Sequence, residues 1–402
     1  MNRRVGIGVI LAALVPWPAV WAEASDWSGY VSVEPRVFVD EPLFPEQPGA
    51  GISPSAVIAP EWRYDWNDGD DRITVAPFFR WDADDDERTH ADVREALWLG
   101  VRGPWTWRVG VGRVFWGVTE SRHLVDIVNQ TDWVEDIDEE DKLGQPMIAL
   151  ERWTRNAGSF GVFLLPGFRE RTFPAADARL RGALPVDTWR AEYESGAGDR
   201  RVDWALRWSH AIGAWDVGVS AFDGTSREPR LLPALSAGGE AVLIPRYDLI
   251  RQVGLDVQYT REAWLWKLEA INRQGHGKRF NAMVAGVEYT LFGLGNGGAD
   301  LGLLVEYQYD GRDLTAPPTL YDDDWFAGFR LALNDADDTS VLGGAIVDDN
   351  GTFAILEAER RLGDAWKFEL EARWFLDVEP ADPFLGGFRN DSFFTLRLVR
   401  YL

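Results

Sequence analysis

The stretch WKFELEARWFL, residues 366–376, places apolar and charged side chains at alternate positions. One parity carries Trp366, Phe368, Leu370, Ala372 and Trp374, and the other carries Lys367, Glu369, Glu371 and Arg373. Successive side chains of a β-strand point to opposite faces, so this strand has one apolar face and one charged face. The same alternation recurs at 202–209, 264–273 and 301–310. The pattern therefore predicts a protein built from two-faced β-strands.

The length of these strands separates two architectures. A soluble β-sandwich shows the same alternation, with the apolar faces forming its core. Soluble strands, however, are typically about 5–6 residues long. The alternating stretches here run for about 10–13 residues, which is long enough to cross a membrane at a tilt. They also carry charges well inside each strand. The sequence therefore predicts an all-β fold, an antiparallel transmembrane β-barrel.

Alternation along the rest of the chain predicts about 18 strands, with 16 as the alternative count. The predicted strands lie near 27–39, 56–67, 72–84, 90–102, 105–117, 146–155, 158–170, 201–211, 213–223, 248–261, 263–274, 279–291, 298–310, 325–335, 338–349, 351–361, 363–377 and 391–402. Tight turns and longer connections mostly alternate between them, which is typical of bacterial barrels with short periplasmic turns and long external loops. No second domain is indicated, so residues 23–402 are interpreted as one barrel.

The N-terminus has the features of a secretory signal peptide. Arg3 and Arg4 precede an apolar run that is too short to span a bilayer as a helix, and small residues follow. We predict that residues 1–22 are removed by cleavage after Ala22, with Ala24 as the second choice. The alternative of a buried N-terminal helix is disfavoured because prolines at 16 and 18 would break it.

Composition narrows the possible functions. The chain has no cysteine, and 13% of its residues are aromatic, including 21 Trp. Membrane barrels concentrate Trp and Tyr at both lipid–water interfaces. A net charge of −24 argues against a nucleic-acid partner, which would require a basic surface. No cofactor motif is present, and the only four histidines are His90, His123, His210 and His276.

The connection 119–145 is the most informative loop. It has apolar residues that could form a helical turn or two, namely Leu124, Val125, Ile127 and Val128, followed by an acidic run. A loop with an apolar face can pack against the inner wall of a wide barrel and narrow its lumen. The predicted constriction residues are Glu135, Asp136, Asp138 and Glu139. The predicted wall residues, all on the inward parity, are Arg80, Arg108, Arg207, Arg273 and Arg373. The alternative is a solvated surface loop.

This arrangement resembles the Gram-negative outer-membrane porins. The segment Gly112-Arg113-Val114-Phe115-Trp116-Gly117, which leads into the loop, is similar to a Gly-Arg…Trp-Gly stretch of porin-like families. The C-terminus departs from the family, since it ends Arg400-Tyr401-Leu402 rather than in Phe. The resemblance implies a location in the outer membrane, contact with its lipid and lipopolysaccharide, a possible homo-oligomer, and passive diffusion of ions or small polar solutes.

Charge and the remaining motifs leave several functional alternatives. Acidic loops predict a preference for cations, because fixed negative charge raises the local cation concentration. The alternative from another class is a non-conducting surface protein that binds a ligand or partner through its acidic loops.

A hydrolase would need His123 or His210 beside a Ser or Asp, and neither lies in a recognised catalytic pattern, so no catalytic residue is predicted. Residues 82–87 offer oxygen ligands for calcium, but their spacing matches no calcium loop, and no metal site is predicted.

Overall fold

The computed structural model describes residues 25–295 and 297–402. Within them, eighteen antiparallel strands form one closed barrel, as the sequence predicts. Closure comes from the first strand, which pairs with the second strand on one side and with the last strand on the other. The predicted signal peptide, residues 1–22, lies outside the described residues.

The first two barrel strands are each made of two segments. In chain order, the eighteen strands are Ser25–Val33 with Arg36–Phe38, Gly51–Ser53 with Ser55–Trp66, Asp71–Asp82, His90–Arg102, Trp105–Gly112, Gln145–Thr154, Gly158–Pro166, Val202–Ile212, Trp215–Thr225, Leu249–Arg261, Trp264–Gly275, Gly277–Leu294, Ala299–Asp310, Asp323–Ala332, Ser340–Asp348, Gly351–Arg361, Trp366–Leu376 and Phe393–Tyr401. Pro35 and Pro54 interrupt the first two strands, because proline has no backbone N–H to donate to a neighbouring strand.

The two faces of the strands have the orientation that the alternation predicts. In Val202–Ile212 the apolar Trp204 and Leu206 are exposed on the outside of the barrel. Asp203 and Ala205, one position away, are buried inside. In Ala299–Asp310, Leu303 and Val305 likewise face outward, whereas the Glu306 side chain is buried in the lumen. The outer surface is therefore apolar, and the charged parity lines the interior.

Several predicted boundaries were wrong. The fifth strand ends at Gly112 rather than at 117, and the seventh ends at Pro166 rather than at 170. After each of these two strands the polypeptide turns into the lumen. The connection between the ninth and tenth strands, in which no strand was predicted, contains a hairpin, Arg230–Leu235 with Ala241–Tyr247. Glu192–Tyr193 adds to this hairpin as a third, parallel strand.

Helical structure is scarce in the described chain. Short 3₁₀ turns occur at Thr188–Arg190, Gly198–Arg200 and Leu385–Gly387. The helical turns predicted around 124–128 are absent, and that segment is irregular. No helix among the described residues is long and apolar enough to cross a membrane.

Candidate constriction and outer cavity

The connection between the fifth and sixth strands folds into the lumen. We call residues 113–144 the inserted loop. Its apolar side chains Leu124, Val125, Ile127 and Val128 are all buried against inward-facing wall residues, which include Ala205, Phe222, Ile250, Ile271 and Val284. Full burial of an aliphatic side chain of this size contributes about 1.5–3 kcal/mol. The predicted apolar face of this loop therefore packs on the barrel wall, and it closes that side of the lumen.

Two wall glutamates hold the first half of the inserted loop. Glu269, in the eleventh strand, is fully buried; its Oε1 accepts hydrogen bonds from the backbone N–H of Val118 at 2.7 Å and of Thr119 at 3.1 Å. Its Oε2 accepts a hydrogen bond from the N–H of Val125 at 3.1 Å. Glu306, in the thirteenth strand, accepts hydrogen bonds from the N–H groups of residues 120 and 121 in the same way. These carboxylates satisfy loop N–H groups that would otherwise be buried without partners.

Removal of the Glu269 carboxylate is expected to release this half of the loop. In Glu269→Ala, several buried N–H groups lose their acceptor, and a hydrogen bond to a charged group is worth about 1.5–3 kcal/mol. We expect limited proteolysis within residues 113–144 to become on the order of tenfold faster at neutral pH. Glu151→Ala, which removes a partly exposed wall carboxylate paired with Arg108, is the matched control. Equal cleavage of the two variants would contradict this role of Glu269.

The second half of the inserted loop is held on the far side of the barrel. Arg80, in the third strand, donates to Glu135 at 2.5 Å and to Glu34 at 2.7 Å, and Arg94 in the fourth strand lies 2.6 Å from Asp132. These side chains are almost completely buried. Although burial alone would raise the pKa of Glu135, the Arg80 guanidinium and its arginine neighbours hold that pKa at about 2. The third and eleventh strands are eight apart in an eighteen-strand barrel, so the loop crosses the lumen from wall to wall.

The tip of the acidic run binds a third part of the wall. Arg373, in the seventeenth strand, is 1% exposed, and its Nη2 lies 3.2 Å from Asp136 and 2.7 Å from Asp138. It also lies 2.8 Å from Glu357 of the neighbouring strand. Three of the four predicted acidic residues, at 135, 136 and 138, are thus brought together with two of the predicted wall arginines, at 80 and 373.

The other predicted residues have different partners. All three remaining arginines point inward as predicted, but Arg108 pairs with Glu151, Arg207 pairs with Asp256, and Arg273 lies 3.1 Å from Glu228. These partners belong to the wall and to another outer loop rather than to the acidic run. Glu139 turns toward the outer side, where its carboxylate is 3.2 Å from Arg171. Its backbone is left-handed, with φ of 67°.

An inner cavity of about 460 Å³ lies beside the acidic run. It is bounded by the first four and the last three strands and by the inserted loop. Eight carboxylates and five guanidinium groups line it. Asp141 is exposed to this cavity. The pKa of Asp141 is raised to about 7. The larger cause is its enclosure within the barrel, and the nearby negative charges of Glu135 and Asp136 add to it.

Other outer loops also enter the barrel. Arg179, from the connection between the seventh and eighth strands, is buried; its Nε lies 2.6 Å from Asp391, and its guanidinium stacks over Phe38 at 4.4 Å. Leu180 packs with Phe388 and other apolar side chains that fill the outer part of the lumen near the last strands. Residues 178–181 of this connection therefore enter the lumen, whereas Trp189, further along the same connection, is 95% exposed.

An outer cavity of about 390 Å³ remains between these loops and the inserted loop. Its wall contains three arginines stacked on aromatic rings. Arg122 lies over Tyr321 at 4.5 Å, Arg171 over Trp133 at 5.2 Å, and Arg181 over Phe44 at 4.1 Å. Sequence reasoning missed these arginines, because they lie in loops whose spatial neighbours alternation does not reveal.

Among the described residues, no hydrogen bond joins either of the two histidines weighed as catalytic candidates to a serine or an aspartate. His123 lies in the inserted loop, with its ring nitrogens 3.8 Å from a Glu140 oxygen and 3.9 Å from a Glu269 oxygen. Burial would lower the pKa of His123, but interaction with these two carboxylates outweighs it and raises that pKa to about 10. His123 is therefore a cation at neutral pH that links the loop to the wall. His210 lies in the eighth strand next to the short turn 213–214, at the end opposite to the long loops.

Comparison with known proteins is informative at the level of the fold. No family model matches the sequence, and no curated protein matches it significantly. The structure is similar to Wzi, an outer-membrane protein of Escherichia coli involved in group 1 capsule assembly and a carbohydrate-binding β-barrel. The TM-score is 0.50 at 10% identity, over 92% of this chain and 84% of Wzi.

Two further solved structures have TM-scores below 0.5. OprB of Pseudomonas putida has a TM-score of 0.47 at 9% identity, over 95% of this chain and 95% of that chain. OmpF of Salmonella typhi has a TM-score of 0.46 at 8% identity, over 94% of this chain and 97% of that chain. With its closed barrel of eighteen strands and its apolar outer surface, the chain has the fold of the outer-membrane β-barrel proteins of Gram-negative bacteria.

Proposed function

We propose that this protein is a porin-like channel of the Gram-negative outer membrane, through which ions and small polar solutes diffuse passively past the inserted loop. The observation that carries the proposal is the unequal filling of the lumen. Apolar side chains of residues 124–128 close one side, whereas the acidic run on the other side borders the inner cavity of about 460 Å³. Water and charged solutes are stable only beside the polar surface, so the pathway follows that cavity.

The charges of the inner cavity support a preference for cations. Its carboxylates outnumber its arginines by eight to five, and ion pairs such as Arg80–Glu135 and Arg373–Asp136 remove one charge of each sign, so the excess of carboxylates remains. Fixed negative charge in a narrow space raises the local concentration of cations. Residues 135–141 are therefore proposed as the segment that sets selectivity.

Passage of solutes can be tested by swelling of liposomes that contain the refolded protein. Small sugars and amino acids are expected to enter faster than into empty liposomes, and lysine is expected to enter faster than glutamate. No swelling with any solute, for protein shown to be folded by its resistance to denaturation in detergent, would rule out passive diffusion.

The pKa of Asp141 predicts a dependence of selectivity on pH. Because this pKa is raised to about 7, the carboxyl group is mostly neutral at pH 6 and mostly charged at pH 8. The ratio of cation to anion permeability is therefore expected to increase as pH rises through 7. Asp141→Asn should flatten this change, whereas Asp86→Asn, in an exposed outer loop, should preserve it. An unchanged pH profile in Asp141→Asn would contradict the assignment.

A second candidate function is favoured by the outer cavity. Arg122, Arg171, Arg181 and Arg312 line it, and each of them has one buried side-chain nitrogen without a hydrogen-bond partner among the described residues. Buried donors of this kind are costly unless a ligand satisfies them. Proline, leucine and aromatic side chains form the rest of the wall. Arginines beside apolar side chains suit a small ligand that has one carboxylate group and an apolar ring or chain. The site is therefore basic and aromatic, whereas the sequence suggested binding through acidic loops.

The two candidate functions give different results in a binding experiment. Isothermal titration of the protein in detergent with benzoate and with benzyl alcohol separates the contribution of the carboxylate from that of the ring. If the cavity is a binding site, benzoate should bind on the order of tenfold more tightly, and Arg181→Gln should remove most of the difference. Equal affinity for both probes would dismiss this second function without affecting the channel.

A further inference from the structure

Three carboxylates meet at the outer end of the fourteenth and fifteenth strands. Asp322 immediately precedes the fourteenth strand, Asp324 is the second residue of that strand, and Asp348 ends the fifteenth strand. One oxygen from each residue lies within 4.8 Å of the other two. Asp324 and Asp348 share the inward parity with Phe326 and Ile346, which are buried in the lumen just below them.

These three carboxylates lack the cationic partners that other acids inside the barrel have. None of the three carboxylates forms an ion pair with a cationic side chain among the described residues. Asp324 is only 1% exposed, and its Oδ2 has no hydrogen-bond partner there. The charged neighbours of Asp348 include a further acid, Asp382. By contrast, the His90–Asp132–Glu135 group is already neutralised by arginines at 80 and 94.

We propose that Asp322, Asp324 and Asp348 bind a calcium ion at the outer rim of the barrel. Carboxylate oxygens are the preferred ligands of Ca²⁺, and oxygens within 4.8 Å of one another fit its coordination sphere, which is about 4.6–5.2 Å across. An unpaired buried carboxylate destabilises the folded state, and a bound divalent cation offsets its charge directly. Mg²⁺ requires a smaller and more regular octahedron, so it is expected to bind more weakly.

The ion would join the start of one strand to the end of the next. Asp322 also closes the outer loop 311–322, since its carbonyl accepts a hydrogen bond from the N–H of Asp310 at 2.9 Å. Asp348 lies beside the hairpin turn 349–350. Calcium would therefore fix the outer rim on this side of the barrel. The inference goes beyond the proposed channel, because the site lies at the rim and binding requires no conduction.

Thermal unfolding of the full folded chain in detergent tests this site. After EDTA treatment, CaCl₂ or MgCl₂ is titrated into the wild type, Asp324→Asn and the control Asp86→Asn. Calcium is expected to raise the melting temperature of the wild type and of Asp86→Asn by several degrees, and magnesium by less. In Asp324→Asn, which removes an unpaired buried charge, the metal-free melting temperature should equal or exceed that of the wild type, and calcium should have little effect.

Two results would overturn the proposal. One is a melting temperature of the wild type that does not change with calcium. The other is the same calcium response in Asp324→Asn as in the wild type, which would place the ion elsewhere. Because Asp324→Asn should fold at least as well without metal, loss of the response cannot be confused with loss of folding. Conductance is not measured in this experiment, so its failure leaves the channel proposal untouched.

Discussion

Arg80→Ala is expected to lower the free energy of unfolding by about 3–5 kcal/mol, because it removes the close cationic partner of the buried Glu135 carboxylate. Arg80 is 5% exposed and binds both Glu34, in the break of the first strand, and Glu135, in the inserted loop. Glu34 keeps a second partner, Arg397, at 3.0 Å. Within the described part of the chain, the Glu135 carboxylate would keep only the longer ion-pair contacts, at 3.6 Å with His90 and 4.0 Å with Arg94. The loop should therefore detach from the third strand.

The loss can be measured by urea unfolding in lipid vesicles, followed by tryptophan fluorescence. The matched control is Arg108→Ala, since Arg108 also points inward and pairs with a glutamate, but both partners are about 30% exposed. A partly exposed pair contributes at most about 1 kcal/mol. If the two variants lose the same stability, Arg80 does not hold the loop.

Neutralising the two carboxylates bound to Arg373, in the double variant Asp136→Asn with Asp138→Asn, is expected to abolish cation preference. The inner cavity would then have six carboxylates and five arginines instead of eight and five. Arg373 would keep only Glu357 as a partner, so more of its positive charge would face the cavity. The permeability ratio of K⁺ to Cl⁻ should fall to about 1 or below. Asparagine preserves side-chain volume, so the loop should stay in place.

The control for this variant removes the same charge from elsewhere in the lumen. Glu151→Gln with Asp256→Asn neutralises two wall carboxylates that pair with Arg108 and Arg207 and do not line the inner cavity. Reversal potentials in a KCl gradient should match the wild type in this control. A similar loss of selectivity in both double variants would show that total charge, rather than the acidic run, sets the preference.

The fold could be predicted because each strand carries its own signal. Alternation along Val202–Ile212 reveals which side chains face outward without knowledge of any other strand. The same local signal placed all five wall arginines on the inward face. It also gave the strand count, although it extended the fifth strand to 117, since Gly112–Gly117 continues an apolar pattern that in fact leads into the lumen.

The contacts of the candidate constriction could be predicted only in part. The apolar residues 124–128 signalled a loop that packs inside, and the structure shows them buried on the wall. Which arginine faces which carboxylate depends on positions around the circumference of the barrel, which alternation does not contain. Arg80 and Arg373 meet the acidic run, whereas Arg207 meets a neighbouring strand. The two wall glutamates at 269 and 306 were visible as inward charges, but nothing local indicated that they bind loop backbone.

Single-channel recording of the refolded protein in a planar bilayer, under a KCl gradient, tests the central claim most directly. The claim is that the lumen conducts along the inner cavity beside the acidic run. It predicts discrete conductance steps with a cation-selective reversal potential, and larger steps in Arg80→Ala, in which the inserted loop is released from the third strand. A folded protein that shows no steps in either form would contradict it.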